Sequence, residues 1–307
     1  MAYVGIYGQI RRNNVKSILL LIGFPSIIIA GVVIGILILN NGIWDEITQN
    51  QILQTLPVVL GAVAIWFLIA FLWHSKMIQY STGAKPLERT QNMRVYNLVE
   101  NLCISQGVKM PQVFVIESSA LNAYASGLNE KTYAITLTRG IIDTLDDAEL
   151  EGVIAHELAH IMNRDVRLLI ISVIFVGILS FVVQVAFRSM LYGGRGRKKV
   201  DGRVMIVVLA ISAIAYLVTI LFRFSLSRKR EFMADASAAE MTKRPDALAS
   251  ALRKISGNHE VDSVRSQDLK GMFIENGSKK KSAMSGIRGL FATHPPIDKR
   301  IEFLEKV

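Results

Sequence analysis

Two histidines one helical turn apart, with a glutamate beside the first, lie in the segment His156-Glu157-Leu158-Ala159-His160. On an α-helix, residues i and i+4 share one face, so both imidazoles can reach a single metal ion and Glu157 can address an activated water. The chain has only 5 histidines among 307 residues, which makes a chance pairing at this spacing a poor explanation. The segment therefore predicts the metal site of a zinc-dependent hydrolase.

A catalytic zinc site usually has three protein ligands and one open position, so a third ligand is required. Glu231 is the best candidate, because it lies on an evident helix that follows a second pair of apolar segments. Asp235 comes one turn later on the same face, where its carboxylate can accept the free N–H of a zinc-bound histidine. The competing interpretation makes Glu231 an exposed residue that neutralises the basic cluster at 228–230.

The helix that carries the two histidines needs a defined start and an apolar side. Asp146, with Glu149 three residues on, predicts a capping box that begins this helix and fixes the register of the histidines. We expect Asn163 and Asp165 to close the helix rather than to take part in chemistry. The ridge opposite the histidines consists of Leu150, Ile154, Leu158 and Ile161.

Long uncharged apolar runs indicate a membrane protein. Residues 17–39 and 56–73 are each long enough to cross the hydrocarbon core as helices, and we expect the first to be retained as an anchor. Two further runs, 168–187 and 204–222, follow the histidine motif as a second hydrophobic hairpin. With 51% apolar residues, the composition does not suggest a small soluble domain.

The segments between the apolar runs combine helices and strands. A helix is predicted at 91–106, a buried strand at 112–117, and a hairpin from 122–127 and 132–138. The hairpin edge would suit a peptide bound by strand addition, although core packing explains its alternation equally well. We expect an α+β, mostly helical fold in a multi-pass membrane protein with four hydrophobic helices.

This organisation predicts four consecutive parts. They are an N-terminal transmembrane hairpin (1–75), the first part of the zinc domain (76–165), the second hydrophobic hairpin (166–222) and the second part of the zinc domain with the third ligand (223–307).

The distribution of charge predicts which parts face the cytoplasm. The basic residues flanking the first hairpin are Arg11, Arg12, Lys16, Lys76, Lys85 and Arg89. Its intervening loop holds Asp45 and Glu46 but no lysine or arginine, so the zinc domain is expected on the cytoplasmic side. The loop at 188–203 carries six basic residues, which the same rule would keep on the cytoplasmic side. A second hairpin that crosses the bilayer fully and one that is re-entrant therefore both remain open.

Three separated motifs together resemble the M48 family of zinc metallopeptidases. They are His156-Glu157-x-x-His160, Glu231-Phe232-x-Ala234-Asp235 after a hydrophobic hairpin, and Thr293-His294-Pro295-Pro296 with Arg300 close behind. The four apolar runs and the modest length match the membrane-bound HtpX branch of that family. The resemblance implies a zincin (gluzincin-like) metalloprotease domain on the cytoplasmic face of a bacterial inner membrane, which degrades damaged or misassembled membrane proteins.

The resemblance also implies roles for individual residues. One zinc ion per chain would be held by His156, His160 and Glu231, with Glu157 moving the proton from water to the leaving amine. His294 would donate to the oxyanion and Arg300 would hold substrate or order the site. A helix cap before two prolines is the competing role for His294.

Two other functions fit parts of the pattern. An intramembrane metalloprotease would carry its histidine motif inside an apolar span, whereas here the motif precedes the span. A silent zinc-containing membrane scaffold would have no use for a general base at Glu157. The expected partners are polypeptide substrates, in particular membrane proteins, and the lipid bilayer. Nucleic acid is not expected, because the basic triplet at 279–281 has no interleaved aromatic residues.

Overall fold

The structure is a computed structural model that describes residues 6–192, 202, 203, 206, 209, 210, 212, 213, 228–256, 274 and 295–307. Its helices are α1 (Ile6–Leu39), α2 (Glu46–Thr82), α3 (Met93–Gln106), α4 (Arg139–Thr144), α5 (Asp147–Met162), α6 (Asp165–Tyr192), α7 (Arg228–Thr242), α8 (Pro245–Ile255) and α9 (Ile297–Leu304). Its strands are β1 (Lys85–Pro86), β2 (Gln112–Ile116), β3 (Ala123–Ser126) and β4 (Ala134–Thr138). The α+β, mostly helical class predicted from the sequence is confirmed.

The chain divides into two compact units. The first comprises residues 1–13, 74–170 and 224–307, and includes the sheet and helices α3, α4, α5, α7, α8 and α9. The second comprises residues 14–73 and 171–223, and includes the apolar stretches of α1, α2 and α6.

Within the second unit, α1 and α2 contain the two predicted N-terminal spans. Residues Ile10–Leu39 and Glu46–Thr82 are long and apolar enough to cross a membrane, and only 17% and 6% of their most apolar windows are buried. Helices of a soluble core would be mostly buried, so these surfaces suit contact with lipid tails. Stacked rings join the helices, with Phe175 centred 4.2 Å from Phe24 and 5.4 Å from Phe67.

Helix α6 contains the third apolar run, 168–187, as one continuous helix of 28 residues. At 1.5 Å per residue this helix is about 42 Å long. The fourth run, 204–222, falls mostly outside the described residues.

The first unit has a four-stranded sheet in the order β1-β2-β4-β3. The predicted hairpin is confirmed, since β3 pairs antiparallel with β4 from Ala123 opposite Leu137 to Ser126 opposite Ala134. The structure adds a parallel pairing of β2 with β4, which places β4 inside the sheet and β3 at its edge. Every residue of β4 is buried, as expected for a strand with neighbours on both sides.

The start of α4 depends on a residue without a side chain. A Cβ added to Gly140 would lie 2.3 Å from the carbonyl oxygen of Ser119 and 2.7 Å from that of Ala120. The backbone cannot easily retreat, because the Gly140 N–H donates to the Ser118 carbonyl at 2.9 Å. We expect Gly140→Ala to lower the free energy of unfolding by about 1–3 kcal/mol. The change should appear as a lower melting temperature in detergent.

Gly23 in α1 provides the matched control, because a Cβ there meets nothing within 4 Å. Gly23→Ala should melt like the wild-type protein. Equal melting of Gly140→Ala and Gly23→Ala would contradict the predicted steric conflict.

Candidate metal centre

Helix α5 begins with the predicted capping box. The Asp146 side chain accepts from the Glu149 N–H at 2.9 Å, and Glu149 accepts from the Asp146 N–H at 3.0 Å. The same buried Glu149 carboxylate accepts hydrogen bonds from Ser250 at 2.7 Å and Lys254 at 2.6 Å, both on α8. Burial opposes ionisation, but the bond from Lys254 keeps the pKa of Glu149 below its ordinary value. The capping box therefore sets where α5 begins, and the hydrogen bonds to Glu149 hold this first turn against α8.

The histidines of α5 meet Glu231 in the first turn of α7. The Nε2 atoms of His156 and His160 lie 3.2 Å apart, and each is 3.7 Å from a carboxylate oxygen of Glu231. One ligand atom from each residue can be chosen so that all lie within 4.8 Å of one another. Glu231 is only 1% exposed, which contradicts the alternative that it is a surface residue neutralising the cluster at 228–230.

Each imidazole also has a carboxylate beside its Nδ1 atom, on the opposite side of the ring from Nε2. Asp235 Oδ1 lies 2.9 Å from His156 Nδ1, and Asp165 Oδ2 lies 3.0 Å from His160 Nδ1. A carboxylate beside Nδ1 favours the tautomer with its proton on Nδ1, so Nε2 carries a lone pair and can bind a metal. Both Nε2 lone pairs therefore converge on the space beside the Glu231 carboxylate.

The position of Asp165 differs from the sequence expectation. We expected Asp165 only to close the helix, whereas its side chain contacts the metal-binding face through His160. Between the end of α5 and the start of α6, Arg164 has a φ of 57°, in the left-handed region that residues other than glycine rarely adopt. The only sequence signal was a carboxylate five positions after His160, which does not show how the chain turns.

Arg300 on α9 is fully buried against Asp235. Its Nε and Nη2 donate to the two oxygens of that carboxylate at 2.8 Å and 2.6 Å. Burial raises the pKa of Asp235, but the Arg300 charge outweighs this effect and holds the pKa below its ordinary value. Of the two roles implied for Arg300, these contacts support ordering of the site rather than contact with substrate. His294 lies outside the described residues.

The charges of the buried groups test whether a metal ion fits. Apart from Glu149, which is paired with Lys254, the buried carboxylates are those of Glu157, Asp165, Glu231 and Asp235, and the buried guanidinium groups are those of Arg230 and Arg300. With neutral imidazoles, these described residues leave two uncompensated negative charges, which a divalent cation would neutralise. Burial lowers the pKa of His160, yet Glu231 and Asp165 raise it to about 10. A site that attracts a proton so strongly also attracts a metal cation, which competes for the same nitrogen.

The donor set suits zinc. Two imidazole nitrogens and one carboxylate are the ligands of many catalytic zinc sites, which keep a fourth position open. Helix α5 has 16 residues, too few to span the hydrocarbon core, and packs in the unit that contains the sheet. The intramembrane alternative therefore gains no support from the described residues.

Removing the Arg300 charge should damage this centre. Arg300→Met leaves Asp235 buried without its counter-ion, and the expected cost is about 3–5 kcal/mol of unfolding free energy. The measurement is chemical unfolding in detergent, together with zinc content. Arg253→Met is the matched control, since its ion pair with Glu305 is about half exposed and should contribute no more than about 1 kcal/mol. Equal losses in the two variants would contradict the role assigned to Arg300.

Comparison with known proteins finds a matching family model and several similar chains. A sequence model described as "Peptidase family M48" matches residues 89–307. The chain is similar to proteins named "Protease HtpX homolog" from Bacteroides fragilis, with 51% identity over all of both chains. A protein of the same name from Listeria monocytogenes is 33% identical over 98% of this chain and 100% of its own length. The crystal structure of S. mikatae Ste24p aligns at 21% identity with a TM-score of 0.49, over 83% of this chain and 58% of that one.

Proposed function

Because the chain belongs to peptidase family M48, we propose that it hydrolyses peptide bonds of damaged or misfolded membrane proteins with the help of one bound zinc ion. The family and the apolar helices make it a membrane-bound metalloprotease that acts on polypeptides. The choice of zinc, the membrane-protein substrates and the residue roles are our proposals. A bacterial inner membrane is the proposed location.

One observation carries the proposal: buried ligand atoms of His156, His160 and Glu231 lie close together, and a second carboxylate lies beside each imidazole. A structural zinc site fills all four positions with protein ligands, whereas the described residues bring three to this one. A bound zinc ion would supply Lewis acidity, which activates water and polarises a carbonyl at neutral pH.

The residues of the chain would then divide the remaining work. Glu157, buried on α5 beside His156, accepts the proton of the attacking water and passes it to the leaving amine. Asp235 and Asp165 hold the imidazoles, and Arg300 holds Asp235. His294 is proposed as the donor to the oxyanion by analogy with the family motif.

The direct test uses the purified full-length chain in detergent micelles or vesicles. A destabilised membrane protein should be cleaved, cleavage should stop when a zinc chelator is added, and added zinc should restore it. A folded soluble protein serves as the control substrate and should be cleaved far more slowly. Cleavage that is indifferent to the chelator would overturn the metal assignment, and equal cleavage of both proteins would overturn the substrate class.

We also propose four membrane spans, with residues 76–165 and 223–307 together forming the catalytic region on the cytoplasmic side. Two observations support this arrangement: lysine and arginine residues flank the first hairpin on both sides, and α6 is one continuous helix of 28 residues. The loop at 188–203 would then lie on the outer side. Added protease should cleave that loop in right-side-out vesicles, and protection there with cleavage only in inverted vesicles would favour a re-entrant hairpin.

A further inference from the structure

The first membrane helix reaches the metal centre through a buried asparagine. Asn13 lies on α1 just before the apolar run that starts at Ser17, and is 2% exposed. Its Nδ2 donates to Asp165 Oδ1 at 2.7 Å and to the main-chain oxygen of Asn163 at 2.9 Å. Residues up to Asn13 cluster with the unit that contains the metal centre, whereas the rest of α1 belongs to the other unit.

The contact with Asp165 continues to a metal ligand. Oδ1 of this carboxylate accepts from Asn13, and Oδ2 lies 3.0 Å from His160 Nδ1. A carboxylate held at one oxygen cannot rotate without breaking that bond, so Asn13 fixes the direction in which Asp165 meets the imidazole. Hydrogen-bond partners behind a metal-bound histidine set its ring orientation and its basicity.

The contact with Asn163 acts on the same segment. Asn163 is the C-cap of α5, and the following Arg164 has the unfavourable φ of 57°. The Asn13 amide spans this turn, because it binds Asn163 on one side and Asp165 on the other. Both bonds therefore hold Asp165 in the position that brings it to His160.

We propose that Asn13 is a positioning residue for the metal ligand His160, so that the first membrane helix completes a centre whose ligands all lie in the peptidase region. This proposal rests on the metal centre described above. Asn13 precedes the family match, which covers residues 89–307. Retention of zinc then depends on Asn13 as well, and not only on the matched residues 89–307.

The test measures zinc release from the zinc-loaded full-length protein in detergent, followed with a chromogenic chelator. Asn13→Ala should release zinc about 10–100-fold faster than the wild-type protein. Asn13→Asp should release it faster still, because it sets a second carboxylate against Asp165. Val15→Ala is the control on the same helix, since Val15 is 49% exposed, and its release should be unchanged.

A reciprocal exchange separates positioning from general loss of packing. In the double variant Asn13→Asp with Asp165→Asn, the amide introduced at position 165 can donate to the new carboxylate and still accept from His160. Zinc release should therefore be slower than in either single variant. The recovery should be partial, because the bond to the Asn163 carbonyl is not restored.

A role in folding alone would lower the melting temperature of Asn13→Ala but leave the rate of zinc release unchanged, and that result would overturn the proposal. Should Asn13→Ala fail to fold, Asn13→Ser keeps a small polar group that cannot reach Asp165, and the same comparison applies. A wild-type protein without stoichiometric zinc would overturn the metal centre itself, and this proposal with it.

Discussion

Replacing Glu157 with glutamine is expected to slow peptide-bond hydrolysis by about 10²–10⁴-fold while the zinc content stays the same. Glutamine has nearly the same shape, but its amide cannot accept the proton of the attacking water. The metal should remain, because the convergent ligands are His156, His160 and Glu231. The measurements are kcat on a quenched fluorescent peptide and metal analysis of the same preparation.

Glu151→Gln is the matched control, since it makes the same chemical change on the same helix outside the buried cluster. Its activity and zinc content should equal those of the wild-type protein. If Glu157→Gln cleaved at the wild-type rate, Glu157 would not be the general base. If neither the wild-type protein nor Glu151→Gln cleaved any substrate while both held zinc, the silent membrane scaffold would be the better description.

Replacing Glu231 with alanine is expected to weaken zinc binding by more than about 100-fold and to abolish cleavage. Substituting a residue that hydrogen-bonds to a zinc ligand typically lowers metal affinity by about 10–100-fold, so loss of a ligand itself should lower it at least as much. Alanine also removes one of the carboxylates that attract a cation to His160. Equilibrium dialysis against buffered zinc provides the measurement.

Glu240→Ala tests whether any carboxylate of α7 has this effect. Glu240 is exposed on the same helix, and its loss should change neither zinc affinity nor activity. Zinc that remained stoichiometric and tightly bound in Glu231→Ala would show that another residue is the third ligand.

Elements with local signals were predictable. The capping box at Asp146 begins α5 as expected, and the alternation of β3 and β4 gave their pairing. The apolar run 56–73 marks only the middle of α2, because the helix continues to Glu46 and Thr82 through polar residues that hydropathy does not register. The parallel pairing of β2 with β4 has no local signature, since it is set by tertiary packing.

The residues of the site also fall into those with a sequence signal and those without one. Helical spacing paired His156 with His160 and Glu231 with Asp235, whereas the choice of Glu231 as third ligand rested on the family motif. Asp165 and Asn13 were missed, because their positions depend on a rare backbone conformation at Arg164 and on a contact across 152 residues. Burial of Arg300 against Asp235 spans 65 residues, and the family motif alone pointed to it.

Arg300 also has a consequence for the timing of biosynthesis. It lies 144 residues after His156, and a ribosome adding about 5–20 residues per second needs roughly 7–29 s to cover that distance. During this interval the histidines are made first and Asp235 later, and Asp235 then has no counter-ion until α9 exists. The emerging chain therefore lacks part of the proposed centre while its apolar segments enter the bilayer, and we expect proteolysis to begin only after those segments have been made.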